Sequence, residues 1–331
     1  MKLSILDQVP IPNGKTAKEA LEATIELAKF ADELGYHRYW IAEHHDMEGL
    51  ASPAPDIVLG IIGSKTKRIR IGSGAVLLPN YKPYNVAESY NLLATMFPGR
   101  VDIGIGRAPG GSAEASMALA DNFLQEVKKH PQKLDELLHF LNRDFPEDHH
   151  FSKLSAQPVP EETPVPWLLG TSVKSAVLAL ERNLPYVFGD FMSDADGPAI
   201  VKGYFDNFKG KTPQVIVAIQ VICAETTEEA EELAQSNQVW RLQQAKGDGN
   251  GKIPSVSETK SYEFTDEDLD ILRSSNHRQI IGNPEGVREG IEKLQQLYRT
   301  DEFMIITITH DLEARKKSYE LMAEQFKLKD A

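Results

Sequence analysis

Arg107 stands where a short apolar strand has to end. Val101, Ile103 and Ile105 recur at the two-residue period of a β-strand, and Pro109-Gly110-Gly111 then forbids strand and helix alike. A guanidinium at a strand end, beside glycines that let backbone N–H groups come close, suits a phosphate; the alternative is a strand end with a solvated arginine. The stretch Gly170-Thr171-Ser172-Val173-Lys174-Ser175 offers the same chemistry, joining another strand to a helix. Ser172 is placed as the N-cap, and the free N–H groups of a helix start form an anion site. Ser172 and Ser175, three apart, can face one phosphate there. Capping accounts for Ser172 but not for Thr171 and Ser175 as well. Arg107 and this hydroxyl cluster together make a candidate phosphomonoester site.

Glu43-His44-His45-Asp46 follows another strand and has the donor types of a metal site. Consecutive strand positions point to opposite sides, so the two histidines do not reach one ion, and no second His or Asp cluster accompanies them; His277 and His310 are isolated. No metal is expected. Two readings remain: a hydrogen-bonded pair tying a loop, or a titratable histidine exchanging a proton with a bound ligand. Ser73-Gly74-Ala75-Val76 ends a further strand with small residues, either because something flat approaches the backbone or because the strand carries a bulge.

The elements that must position these residues alternate from start to finish. Strands are expected at Leu3–Leu6, Arg38–Ala42, Ile69–Leu78, Arg100–Gly106, Pro166–Gly170, Tyr186–Phe188, Val215–Ala224 and Glu302–Ile308, with helices between them. Thr16-Ala17-Lys18-Glu19 and Thr226-Thr227-Glu228-Glu229 are capping boxes, and Asn283-Pro284 caps a late helix with proline at its first turn. His130-Pro131 interrupts the helical stretch Ala113–Leu141. Lys246–Lys252, rich in glycine, reads as a mobile loop opening an insertion before the eighth strand. Nearly all-apolar strands in strict alternation mean a parallel sheet buried on both faces. Eight units in 331 residues without a composition break predict one domain over 1–331, an α/β protein of the closed (β/α)8 TIM-barrel type with insertions. Function then belongs at the carboxyl ends of the strands.

Composition excludes several classes. The net charge is −13 and the longest basic run is Arg315-Lys316-Lys317, which argues against nucleic acid and against an anionic membrane surface. A single cysteine, Cys223, permits neither an internal disulfide nor a cysteine-based zinc site, and no apolar run approaches the length of a bilayer span. A cytoplasmic location is expected. Ile57, Val58, Ile61 and Ile62, then Val86, Tyr90, Leu93 and Met96, give two helices more apolar surface than one inward stripe needs, and a homodimer through them is expected.

Three segments, in order, resemble the bacterial luciferase-like, flavin-dependent monooxygenases, and in particular the group 1 luciferase-like oxidoreductases. They are Tyr39-Trp40-Ile41-Ala42-Glu43-His44-His45, Ile71-Gly72-Ser73-Gly74-Ala75-Val76-Leu77-Leu78-Pro79-Asn80, and Pro98-Gly99-Arg100-Val101-Asp102-Ile103-Gly104-Ile105-Gly106-Arg107-Ala108-Pro109-Gly110. The similarity spans nearly the whole chain. It implies a TIM barrel that binds FMN at its mouth, usually as a dimer. The flavin phosphate would meet Arg107, the backbone near Ala108 and the hydroxyls of Ser172 and Ser175, with Gly170 and Thr171 in the same loop. Gly74-Ala75 would carry a cis peptide pressing on the flavin ring, and His44 would be the active-site histidine, with Glu43 or Asp46 orienting it and its imidazole titrating near neutrality. Lys246–Gln279 falls where relatives have a mobile lid. Asp46 stands where close relatives often carry a neutral residue. The activity implied is a two-component monooxygenase, in which a separate reductase supplies reduced FMN and O2 oxidises a small organic substrate. The absence of a Gly-x-Gly-x-x-Gly fingerprint for NAD(P)H agrees with an external source of electrons. A dehydrogenase using the deazaflavin F420, a flavin-binding protein without catalysis, and a metal hydrolase on the same barrel are the alternatives.

Overall fold

The computed structural model describes residues 1–247, 251–276 and 279–330. The first half follows the sequence pattern closely: β1 (Lys2–Asp7), α1 (Ala17–Leu34), β2 (Arg38–Ile41), α2 (Pro55–Lys65), β3 (Arg70–Leu77), α3 (Pro83–Met96) and β4 (Val101–Gly106). The next helical stretch is three pieces, α4 (Ala113–Leu119), α5 (Phe123–Lys128) and α6 (His130–Asn142): Ala120 turns extended and ends the first, and Pro131, which has no N–H to carry the ladder across, sits in the first turn of the third. Then come β5 (Val165–Gly170), α7 (Val173–Glu181), β6 (Tyr186–Gly189), α8 (Gly197–Asn207), β7 (Val215–Cys223) and α9 (Thr227–Lys246). The chain closes with α10 (Val256–Thr259), α11 (Asp266–Asn276), β8 (Gln279–Gly282), α12 (Pro284–Tyr298), β9 (Glu302–Ile306) and α13 (Leu312–Gln325).

The strands form a closed parallel ring in the order β1-β2-β3-β4-β5-β6-β7-β9, with β9 returning to β1. This is the eight-stranded barrel. β8 lies outside it, and the sequence reading contains no strand there. β7 explains the addition: its first half pairs with β9 from Ile216 to Gln220, and its last four residues, Gln220 to Cys223, run past the ring and pair with β8. Four residues flanked by helices carry too short an alternation to register as a strand without that partner.

Apolar side chains fill the ring: Leu6, Trp40, Trp167, Val187, Ile216, Ala218, Met304 and Ile306 belong to one buried cluster. A larger cluster lies between the outer strand faces and the helices. The amino-terminal end of the ring is closed by charge. Arg38 Nη1 donates to Asp102 at 2.7 Å and its Nε to Glu302 at 2.7 Å, Arg70 adds a second guanidinium on Asp102, and Trp40 Nε1 donates to the same carboxylate at 3.1 Å.

The α2 and α3 faces divide differently from the expectation. Val58, Ile62, Val86, Tyr90 and Leu93 are buried in the barrel's own core, and the outward apolar set is Ile57, Ile61, Leu92 and Met96. Leu92 had not been distinguished from its neighbours, because on a helix buried on one side the two apolar stripes are adjacent.

Candidate active site

β2 delivers Glu43, His44 and His45 to the mouth of the barrel, and alternation sends them to different sides. Glu43 is buried and accepts hydrogen bonds from the Leu77 N–H at 3.1 Å and the Tyr81 hydroxyl at 2.9 Å, with His45 Nε2 at 2.9 Å from the same carboxylate. Burial and the neighbouring Glu43 charge push the Tyr81 phenol well above its ordinary value, so it stays a donor. His45 is also tied by its backbone, its N–H donating to the Gly110 carbonyl at 2.8 Å beside a β-bridge to Gly111. Glu43 therefore orients His45, not His44, and joins the ends of β2, β3 and β4. Asp46 does not reach His44 either, since it accepts from Ser112 Oγ at 2.5 Å. The first correction follows from alternation, since residues two apart share a side and adjacent ones do not; the second follows from the left-handed backbone at Asp46 (φ 52°), which ends the alternation there.

His44 is left on the opposite side. Its backbone N–H donates to the Ser52 carbonyl at 3.0 Å, while its ring Nδ1 is buried without a partner. Burial, with a small contribution from His45, pushes the imidazole down to about 4. This differs from the near-neutral titration expected of it. At pH 7 the ring is neutral, with one nitrogen protonated and the other a bare acceptor.

At the end of β3 the Gly74–Ala75 peptide is cis, and the register of β3 on β4 slips between Ser73 and Val76. The irregularity read from the sequence and the cis peptide that the resemblance implies are thus both present. On the other flank, Ile105 pairs with Leu168, which brings Arg107, two residues on, beside Gly170. Arg107 is exposed and has no ion-pair partner among the described residues; Ala108 next to it is exposed too.

Ser172 and Ser175 form a capping box on α7. Ser172 N donates to Ser175 Oγ at 3.2 Å, Ser175 N to Ser172 Oγ at 3.4 Å, and Ser175 Oγ lies 2.7 Å from the Ser172 carbonyl and 2.9 Å from the Tyr186 hydroxyl. Capping thus accounts for both serines. Gly170 is required here, because a Cβ at that position would lie 2.1 Å from Ser175 Oγ. Thr171 contributes its carbonyl to Ser193 Oγ at 3.1 Å. What remains available to an anion is the Ser172 hydroxyl, the first N–H groups of α7 and Arg107.

A roof crosses the mouth. The Asn13 N–H donates to the Ile253 carbonyl at 2.7 Å, the Ile253 N–H to the Ile11 carbonyl at 3.0 Å, and Trp240 Nε1 to the Gly251 carbonyl at 2.8 Å. Ile253, Trp240 and Leu50 are buried in the cluster that fills the barrel. Within the insertion expected to be a mobile loop and lid, residues 251–255 are docked and 256–276 carry α10 and α11; Asp248–Asn250 and His277 lie outside the described residues. Tyr81, Trp240 and Ile253 escaped sequence reasoning, since each is an ordinary core-type residue whose role depends on a distant partner. Among the described residues no group of three or more His, Cys, Asp or Glu side chains is placed to hold a metal ion.

Comparison with known proteins agrees with this architecture. The family model described as luciferase-like monooxygenase matches residues 1–301. The chain is 34% identical over 330 residues to the N-acetyl-S-alkylcysteine monooxygenase of Bacillus subtilis (strain 168), covering 98% of each. Among solved structures, apo-MsnO8 superposes with a TM-score of 0.89 at 32% identity, over 99% of this chain and 98% of that one. The oxygenating constituent of 3,6-diketocamphane monooxygenase from Pseudomonas putida, a type II Baeyer-Villiger enzyme in complex with FMN, shares the fold. Its TM-score is 0.73 at 20% identity, over 98% of this chain and 97% of that one.

Proposed function

The chain belongs to the luciferase-like monooxygenase family, and from that premise and the mouth of its barrel we propose that it is the oxygenating component of a two-component system. It takes reduced FMN from a separate reductase and uses O2 to oxidise a small organic molecule, one oxygen atom going to the substrate and the other leaving as water. The observation that carries this reading is the pairing of two unspent groups across one mouth: an arginine without a carboxylate beside the start of α7, and a buried imidazole nitrogen without a donor at the end of β2. A phosphate ester carrying a flat, hydrogen-bonding ring satisfies both. FMN is such a molecule, and it is the flavin held by a neighbour of the same fold.

Bound reduced FMN would supply the two electrons that O2 requires. The chain's own residues do the rest. Arg107, the Ser172 hydroxyl, the backbone at Ala108 and the first N–H groups of α7 hold the phosphate, with Gly170, Thr171 and Ser175 shaping the loop that presents them. The Gly74–Ala75 backbone approaches the ring. His44, neutral at pH 7, holds a proton on one nitrogen and accepts at Nδ1, which places it to deliver or receive a proton beside the reacting atoms. The roof of Ile253, Trp240 and Leu50 keeps bulk water out.

The test is titration with FMN, reduced FMN and the deazaflavin F420, followed by O2-dependent turnover with a reductase. His44→Ala should leave FMN affinity within a few-fold while oxygenation falls by roughly 10²–10⁴, the usual scale for losing a general acid–base, with hydrogen peroxide released instead. Selective binding of F420 would replace the reading with a dehydrogenase. Binding of flavin without any O2-dependent product, across a substrate panel that includes N-acetylated S-alkylcysteines, would reduce it to a flavin-binding protein.

The active assembly we infer is a homodimer across Ile57, Ile61, Leu92 and Met96, four large apolar side chains between 43% and 68% exposed on neighbouring helices. Sedimentation of the wild type as a monomer at micromolar concentration would remove that inference.

A further inference from the structure

His130 was legible in the sequence only as a helix break. In the structure it opens α6 and is 3% exposed, with Nε2 buried and unpartnered. The other ring nitrogen is directed at the carbonyl of Gly106, the residue before Arg107. The ring thus sits between the first turn of α6, the end of β4 and the arginine of the phosphate site.

The charges that face it come from three elements. Arg107 follows β4, Lys133 lies one turn along α6, and Arg182 ends α7. Two of the three are already neutralised. Lys133 pairs with Glu126 at 2.5 Å, and Arg182 with Asp135 at 2.7 Å and with Glu181 at 2.7 Å. Among the described residues, Arg107 alone of the three has no anion. Asn80, in the turn after β3 that Lys133 ties to α6 through the Pro79 and Tyr81 carbonyls, adds a carboxamide that is buried and unpartnered at both atoms. Burial and the Arg107 charge, in that order, push the His130 imidazole down to about 4, so it is neutral with a bare acceptor at Nε2. Adding a dianion at Arg107 reverses the sign of the local field. An opposite charge within about 4–6 Å raises a base by about one to three pK units.

We propose that His130 is the proton-accepting element of the phosphate site, neutral while Arg107 is unpaired and taking a proton at Nε2 from solvent when a phosphate dianion pairs with Arg107. The proposal rests on the FMN reading above and adds to it a way of choosing a phosphorylated flavin over a bare one. FMN then binds with net uptake of a proton and more tightly as the pH falls from 8 toward 6.5, whereas riboflavin binds with neither property. The phosphate's own protonation, with a pK near 6, works in the opposite direction, because selection of its dianion releases a proton.

The test is calorimetric titration of the whole protein with oxidised FMN and with riboflavin at pH 7, in two phosphate-free buffers of different ionisation enthalpy. The expected result is uptake of about 0.3–0.5 proton per FMN and none for riboflavin, if the imidazole rises from about 4 to about 7. His130→Gln keeps a donor for the Gly106 carbonyl but cannot titrate. It should abolish the uptake and weaken FMN about fourfold at pH 6.5 on the same rise, leaving riboflavin unchanged. The wild-type comparison of the two flavins needs no variant to fold. Binding of FMN without proton uptake overturns the proposal and leaves the flavin reading intact. Equal uptake with riboflavin, or undiminished uptake in His130→Gln, overturns it too, by moving the proton elsewhere. Failure of the wild type to bind FMN removes both.

Discussion

The two ends of the barrel treat charge in opposite ways. At the amino-terminal end, Arg38, Arg70, Asp102 and Glu302 are buried or nearly so and each is paired, with Ser4 Oγ completing Glu302 at 2.7 Å. At the carboxyl-terminal end, among the described residues, Arg107 has no anion, and His44 Nδ1, His130 Nε2 and the Asn80 carboxamide have no partner. Both ends are made from the same eight strands, so the difference belongs to the residues placed there. A polar group left unmade in a low-dielectric site is costly unless something arrives to satisfy it. The lower end holds the ring closed, and the upper end leaves open the groups that the proposed flavin would complete.

This contrast breaks most severely at the lower end. Arg38→Met strands Glu302 without a guanidinium and leaves Asp102 with Arg70 and the Trp40 indole N–H. The expected loss is about 3–5 kcal/mol of stability, the scale for uncompensating a buried pair, read from the midpoint of urea unfolding. The matching change above, Arg107→Ala, should alter that midpoint by less than about 0.5 kcal/mol, as for other exposed sites. It should instead weaken FMN by about 1.5–3 kcal/mol, the range for a charged hydrogen bond, and riboflavin hardly at all. A large stability loss in Arg107→Ala, or equal weakening of both flavins, would erase the distinction between the two ends.

A smaller effect comes from pH. His44 and His130 are held near 4 in the folded chain, against about 6.5 when unfolded. Between those values the unfolded chain binds more protons, so stability is complete above pH 6.5 and declines as pH falls toward 4. Each imidazole should account for about 1–2 kcal/mol between pH 7 and pH 5. His44→Gln and His130→Gln should each flatten the dependence, measured from unfolding midpoints at the two pH values, and a flat wild-type profile would contradict the burial of both rings.

The smallest effect is at the roof. A Cβ on Gly49 would lie 1.9 Å from the Gly251 carbonyl, so Gly49→Ala must push the 251–253 strap off the mouth. Faster hydrogen exchange at Ile253 is expected, with a change in global stability under about 1 kcal/mol, as befits a locally opening segment. Unchanged exchange at Ile253 would mean that the strap does not rest on Gly49.

Much of this was legible in the chain itself. The capping box at Thr16 and Glu19, the proline starts of α2 and α3 and the alternation through β4 are local signals, and the elements form where those signals lie. Arg107, Ser172 and His44 stand out because each comes shortly after a strand, and Gly74–Ala75 because small residues sit within the last half of one. The partnerships were not legible. Alternation pairs Glu43 with His45, but nothing near it in sequence says that it also serves Tyr81 and Leu77, and the Tyr186 partner of Ser175, eleven residues away, is equally out of local view.

Local periodicity and capping chemistry therefore determined where strands begin and end, and with them which residues stand at the mouth, since both depend on residues within a few positions of one another. Ring closure decided the rest. Tertiary hydrogen bonding brings segments as distant as 11–13, 49–51 and 251–253 together over one opening. Only packing against the end of β4 buries His130 beside Arg107. Whether a polar atom is satisfied or left waiting depends on neighbours supplied from across the chain, and these exist only once the barrel has closed.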